Sequence, residues 1–246
     1  MYHAAAYKHV PLSQDNPESY FYNNYGSTRE VLDYCATVGA SFVLISTDKA
    51  VCPVNIMGMT KRLCEFLTKT RSGFPRAIVR FGNVLNSAGS VVPIFKRQIE
   101  AGGPLTITDR RASRFFMSIQ EAVGIVLNAS DLVSLECPIL ALDMGPPMSI
   151  YSMAINMIEQ SGKRAVDFEP KADSQIQIVE IGLRSGEKLN EKLSYSTLKE
   201  TDVFRVRECE ESVRDFAALE IYLDEMLAKT SSPDWSRIDW STGEFR

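Results

Sequence analysis

Two side chains that could exchange protons are neighbours in S-T-D-K-A-V-C-P-V-N-I-M-G-M-T-K, residues 46 to 61: the carboxyl of Asp48 and the amine of Lys49. A carboxyl beside an amine moves protons in both directions when burial and mutual charge bring their pKa values toward neutrality. Met57 and Lys61 follow four residues apart, a spacing that puts both on one face of a helix. Taken locally, the Asp48–Lys49 pair also reads as a solvated turn with two unrelated charges, because such pairs are common on loops. Which reading applies depends on the elements that hold these residues.

The run S-F-V-L-I-S (41 to 46) is β-branched and aromatic, as in a strand buried on both faces. Thr47, Asp48 and Lys49 then fall on its exit loop. Asn55 opens a helix over 56 to 70, and R-A-I-V-R-F (76 to 81) is a second buried strand. Upstream, M-Y-H-A-A-A reads as the end of a strand, and Asn16-Pro17 starts a helix that runs to Ala36 and stops at Gly39. Downstream, the pattern predicts a helix near 91 to 101, a turn at Gly102-Gly103-Pro104, a strand at 105 to 108, a helix from Ile119 to Leu132 and a strand at 138 to 143. Ser149 caps a helix to Gln160 that Gly162 ends, and I-Q-I-V-E-I (176 to 181) is a further strand. From about residue 196 the chain turns charged, with one amphipathic helix near 211 to 228 and a polar, Trp-containing tail. Strands alternating with long helices predict a parallel, helix-covered sheet whose ligand site lies beyond the carboxyl ends of its strands. Asp48, Lys49, Met57 and Lys61 then face one crevice.

Composition excludes other classes. A chain of 246 residues with 45% hydrophobic content supports one sizeable core or two small ones, and a net charge of −4 gives no basic field for nucleic acid. The five cysteines are scattered without a C-x-x-C pair, so neither a disulfide framework nor a thiolate metal site is expected. No apolar run approaches membrane-spanning length, and no secretory leader is visible.

The motifs H-A-A-A-Y-K-H-V-P (3 to 11), N-N-Y-G-S (23 to 27), L-I-S-T-D-K-A-V (44 to 51), M-G-M-T-K-R (57 to 62) and R-F-G-N-V-L (80 to 85) occur in one order with G-S-V-V-P-I-F (89 to 95), G-G-P-L-T-I-T (102 to 108), R-F-F-M (114 to 117), L-D-M-G (142 to 145) and G-L-R-S-G-E-K (182 to 188). In this order and spacing the chain resembles the extended short-chain dehydrogenase/reductases. Within them it resembles the polysaccharide-biosynthesis branch of UDP-N-acetylglucosamine 4,6-dehydratases and related epimerases. The resemblance implies an α/β fold, a truncated doubly wound parallel Rossmann-type sheet with a small carboxy-terminal substrate-binding subdomain. The expected division is a partial NAD(P)-binding domain over 1–145 with substrate-loop insertions at 86–114, a substrate-binding subdomain over 146–195 and an extension over 196–246.

The resemblance also implies a reaction. In 4,6-dehydratases a nicotinamide cofactor borrows hydride from C4 of the sugar, water is eliminated across C5 and C6, and the hydride returns to C6. Asp48 matches the acid for the departing C6 hydroxyl and Lys49 the base at C5. Lys61 matches the lysine that holds the nicotinamide ribose. Met57 stands where the wider superfamily has a tyrosine, so the C4 proton passes to another group, with Thr47, Asp48 or a water relayed through Lys61 as candidates. For the cofactor, NAD or NADP, the resemblance implies contacts from Ala4, Ala5, Ala6, Lys8, Asn23, Ser46, Lys61 and Phe81. For a UDP-sugar it implies Asn83 near the diphosphate, Arg114 and Arg184 as its guanidinium clamp, Glu187 on the nucleotide ribose, and Thr106 and Thr108 lining the pocket. Expected partners are the UDP-sugar and further copies of the intact chain, with no nucleic acid and no membrane segment. The expected location is cytoplasmic, including the cytoplasmic part of a membrane-anchored parent.

The chain also departs from the pattern. No glycine precedes Gly26, so the G-x-G-x-x-G phosphate loop and its acidic ribose partner are not in this sequence. This points to the carboxy-terminal part of a longer protein. Cys52 stands where Asn is usual, Asn86-Ser87-Ala88 where Gly-Ser-Arg is usual, and Ser185 where Pro is usual. Dehydration, epimerisation at C4 and a non-catalytic remnant all remain compatible with the residues.

Overall fold

A computed structural model describes residues 1–87, 89–211 and 216–245. They fall into two compact units: Met1–Phe81 with Val123–Asp143 and Lys192–Arg246, and Gly82–Ala122 with Met144–Glu191.

The first unit is built on a six-stranded sheet. Its order is Tyr2–His3, Phe42–Thr47, Arg76–Phe81, Ile139–Leu142, Val206–Cys209 and Leu198–Glu200. The first four strands are parallel, with Leu44 opposite Ile78 and Val79 opposite Leu140, and the last two are antiparallel. The parallel strands are apolar throughout because helices cover them. Phe42, Leu44, Ile78 and Ile139 meet Leu63, Phe66 and Leu67 of the helix Ile56–Thr70 and Leu32 and Cys35 of the helix Ser27–Val38 in one core. Gly39 ends the latter helix at φ 65°, the left-handed conformation that a Cβ disfavours.

The segment from 192 onward, expected as an extension, is woven into this unit. Val206 and Cys209 are buried against the sheet, Lys199 and Glu200 are exposed and Arg207 and Glu208 half-buried, and the outer strand Leu198–Glu200 is an edge whose charge faces water. Phe216, just before the helix Ala217–Ala228, and Leu219 and Leu223 within it enter the core, and Trp235, Trp240 and Phe245 pack on it. The helix starts later than the expected 211, and residues 212–215 lie outside the described residues.

A buried ion network fastens this segment to the sheet. Arg80 forks onto Glu65 with two bonds of 2.8 Å and onto Glu211 with bonds of 2.6 and 2.9 Å. Arg62 bonds Glu65 at 2.8 Å and Glu211 at 3.1 Å, lies between the rings of Phe66 and Tyr195, and donates to the carbonyls of Trp240 and Ser241. Two arginines and two carboxylates leave no net charge in the core, which burial of such groups requires.

The second unit has a three-stranded parallel sheet in the order Arg164–Val166, Gln175–Glu180, Leu105–Ile107, with the helices Val91–Glu100 and Ile150–Gln160. Phe95, Ile99, Ala154, Ile158, Ile176 and Ile178 form its core. Ser149 caps the second helix by accepting from Ser152 N at 3.2 Å. Residues 82–122 thus group with 144–191, whereas the motif order had placed them within the cofactor domain. Among the described residues no helix is long and apolar enough to cross a membrane.

Candidate active site

The strand Phe42–Thr47 hands the chain to a single 3-10 turn, Asp48–Ala50. Thr47 caps it: its hydroxyl accepts from Lys49 N at 3.3 Å and donates to Asp48 Oδ1 at 2.9 Å. The same Oδ1 accepts from Lys49 Nζ at 3.0 Å. The Asp48 side chain is wholly buried, that of Lys49 is 18% exposed, and Asp48 Oδ2 is buried with no hydrogen-bond partner among the described residues. An acceptor in that state costs free energy.

The helix Ile56–Thr70 begins against this turn. Asn55 caps it by accepting from Gly58 N at 2.8 Å, and Ser13 and Gln14 accept from Met57 N and Ile56 N. A Cβ on Gly58 would sit 2.3 Å from the carbonyl oxygen of Lys49, closer than packed atoms come. Gly58 therefore allows the helix to lie directly on the acid–amine turn. Gly58→Ala is expected to push the turn away, lowering turnover by about 10²-fold while the chain still folds; unchanged turnover by a folded variant would contradict this.

Met57 and Lys61 are both buried one helical turn apart. Burial pushes the Lys61 ammonium below its ordinary pKa, with nearby Cys64 and Glu65 acting in the opposite direction. His3, bonded to Thr28 Oγ1 at 3.0 Å, is held neutral with its pKa lowered to about 4, by burial first and then by the charge of Lys61. In the ion network Glu211 is also lowered, to about 2, because Arg80 and Arg62 outweigh the cost of burial. Both shifts act on stability with the same sign. A buried neutral histidine loses stability as pH falls from 6.5 toward about 4, since the unfolded chain takes the proton first. A depressed carboxylate keeps its contribution above about 4.5 and loses it as pH falls toward about 2. Urea midpoints are expected to fall in these two windows, and His3→Gln is expected to remove the upper one.

Several expected cofactor residues sit differently. Asn23 was expected among the cofactor contacts; it is its neighbour Asn24 that clasps the loop after the first strand. Asn24 Oδ1 accepts from Tyr7 N at 2.7 Å, and its amide donates to Tyr7 O at 3.1 Å and Thr60 Oγ1 at 2.9 Å. Asn23 supports it from the side, donating to Asn24 Oδ1. The π-helical turn Phe21–Gly26 directs Asn24 inward, a shift that helical periodicity does not reveal. Ser46 was expected at the cofactor; its hydroxyl is buried and donates to Glu65 Oε1 at 2.5 Å. Ala4, Ala5 and Lys8 are exposed, and Ala6 and Phe81 half-buried.

The residues expected on the nucleotide belong to the second unit. Asn83 pairs through its backbone N–H with Phe115 O at 2.9 Å. Thr106 is held by Gln98 on both backbone and hydroxyl, and Thr108 is half-buried. Arg114 spends three donors on the carbonyls of Ser113, Lys188 and Leu189, at 2.7 to 2.8 Å, which makes it a clasp for the 188–189 backbone rather than a free fork. Arg184 is exposed, 3.9 Å from Glu187. In the 86–88 departure from the pattern, Asn86 has φ 60°, while Ala88 lies outside the described residues.

A mostly parallel, helix-covered sheet with an acid–amine turn at the carboxyl end of one strand is a Rossmann-type α/β arrangement, like that of the short-chain dehydrogenase/reductases the sequence resembles. Residues 1–210 match the family described as "Polysaccharide biosynthesis protein", and the chain belongs to that family. It is 45% identical over 197 residues to the probable polysaccharide biosynthesis protein EpsC of Bacillus subtilis, covering 78% of this chain and 31% of EpsC. It is 35% identical over 201 residues to a UDP-N-acetylglucosamine 4,6-dehydratase (inverting) of Campylobacter jejuni, covering 77% of this chain and 54% of the dehydratase. The solved structure of Pen from Bacillus thuringiensis superposes with a TM-score of 0.67 at 32% identity, over 78% of this chain and 59% of Pen. The chain thus spans about a third to three-fifths of these relatives.

Proposed function

We propose that the protein carrying this chain eliminates water from a nucleotide-linked N-acetylhexosamine, as a UDP-N-acetylglucosamine 4,6-dehydratase of surface polysaccharide synthesis does. The observation that carries the reading is the 3.0 Å contact between the buried Asp48 carboxylate, with its partnerless Oδ2, and Lys49 Nζ. The ion pair and its neutral form differ by one proton shifted across that contact. In the neutral form Asp48 is an acid and Lys49 a base. Lys49 then takes the proton from C5 as the C5–H electron pair forms the new double bond, and Asp48 gives its proton to the C6 oxygen, which leaves as water. Thr47, donating to Asp48 Oδ1, favours the carboxylate that results.

A nicotinamide cofactor, NAD or NADP, would supply reversible hydride acceptance from the sugar. The residues fit its nicotinamide end: Lys61 offers a buried donor for a ribose hydroxyl, and the short side chains of Ala4, Ala5 and Ala6 leave backbone approachable at the end of the edge strand. Met57 carries no proton, so the hydroxyl at C4 is served by Thr47, Asp48 or a water relayed through Lys61. Arg184 and Glu187 are the side chains offered to the diphosphate and ribose of a UDP-sugar. Supplying the protein with UDP-N-acetylglucosamine and NAD, then trapping a keto product with borodeuteride for mass analysis and separating the isobaric C4 epimer by chromatography, tests the reading. A 4-keto-6-deoxy sugar supports it, a C4 epimer would make the protein an epimerase, and unchanged substrate would sink both.

A further inference from the structure

Glu65 follows Lys61 by one turn on the helix Ile56–Thr70 and is completely buried. Its Oε1 accepts from Ser46 Oγ at 2.5 Å and Arg80 Nε at 2.8 Å, and its Oε2 from Arg80 Nη2 and Arg62 Nη1, each at 2.8 Å. Ser46 lies two residues before Asp48, on the strand that delivers the acid–amine turn. One carboxylate therefore ties the element bearing Asp48 and Lys49 to the element bearing Met57 and Lys61. Buried charge networks are seldom needed for stability, since apolar replacements of equal volume often do as well, whereas a carboxylate held by four donors fixes its neighbours in one geometry. The absence of any side chain at Gly58 makes the fit stricter, because the Lys49 carbonyl rests on the helix with no room to slide.

We propose that Glu65 is a positioning residue for the elimination, resting on that reading of the site: through Ser46 it sets the spacing between the acid–amine turn and the Lys61 helix. Removing the carboxylate outright would leave Arg62 and Arg80 facing Glu211 alone, so Glu65→Gln tests folding as well as function. Ser46→Ala separates the two, since it cuts only the link to the strand. Leu219→Ala, a core change in the carboxy-terminal helix, supplies a destabilised control outside the site.

The expected result is a fall in kcat of about tenfold to 10²-fold in Ser46→Ala with KM within twofold of wild type, and recovery in Ser46→Thr, which keeps the hydroxyl. Leu219→Ala is expected to lower the melting temperature more and kcat not at all. Equal kcat in Ser46→Ala and wild type, or a loss matched by Leu219→Ala, would overturn the proposal. Amide exchange tests the same spacing without turnover: the Lys49 and Val51 amides, bonded to Thr47 Oγ1 and Asp48 O, are expected to exchange faster in Ser46→Ala alone. Unaltered exchange there would refute the positioning role even if the wild-type protein proved to be no dehydratase, while a wild type without turnover would refute only the reading of the reaction.

Discussion

Lys49→Ala is expected to take turnover of the UDP-sugar down to background, a loss of about 10²–10⁴-fold in kcat with little change in KM or melting temperature. On the proposed reading the amine, 3.0 Å from the buried acid, takes the C5 proton, and truncating it removes that base while leaving Asp48 with the Thr47 hydroxyl. Asp48→Asn is expected to act differently. It keeps the shape of the turn and the Lys49 amine and removes the acid for the leaving hydroxyl, so elimination stops; with Thr47 or a water serving the C4 hydroxyl, exchange of the C5 proton with solvent deuterium persists. Measuring wash-in of deuterium separates the two roles. Full turnover by either variant would remove these residues from the chemistry.

Arg80→Met is expected to cost about 3–5 kcal/mol of folding stability, the largest single effect on the fold. Arg80 satisfies both carboxylates of the network and also donates to the carbonyl of Leu193 at 3.2 Å. Without it, Glu65 and Glu211 keep Arg62 as their shared cation among the described residues, inside a core that cannot screen the surplus negative charge. Urea unfolding followed by far-ultraviolet dichroism measures this as a lower midpoint with unchanged slope. A midpoint within experimental error of wild type would show the network to be dispensable. Because the same network anchors the segment beyond residue 192, the loss is expected to free Trp235 and Trp240 to solvent first, which a red shift in tryptophan emission reports.

The helix Ile56–Thr70 and the strand Arg76–Phe81 were legible to the residue, since local signals agreed there: Asn55 as cap, apolar side chains at helical spacing, then a short run centred on Ile78 and Val79. The helix Ile150–Gln160 was equally clear from Ser149 and Gly162. The strands Leu198–Glu200 and Val206–Cys209 were not, because each gives the core few side chains and shows charge to water, which reads locally as a loop. The short helix Val10–Asp15, with Pro11 in its first turn, was also missed, being too brief to show a period.

For the site the division is similar. Residue type and neighbourhood in the chain marked Asp48 and Lys49 as groups that can exchange protons, and the resemblance added Thr47, Met57 and Lys61 as candidates. That Asn24 and not Asn23 clasps the Tyr7 loop, that Ser46 turns to Glu65, that Arg114 clasps backbone, and that Gly58 admits the Lys49 carbonyl were decided by packing. The sequence by itself determined which groups can carry protons and which runs form strands and helices, since both follow from side-chain type and local spacing. Only the tertiary structure decided which of those groups face each other, because hydrogen-bond direction, burial and contact distance belong to pairs of residues brought together from distant parts of the chain.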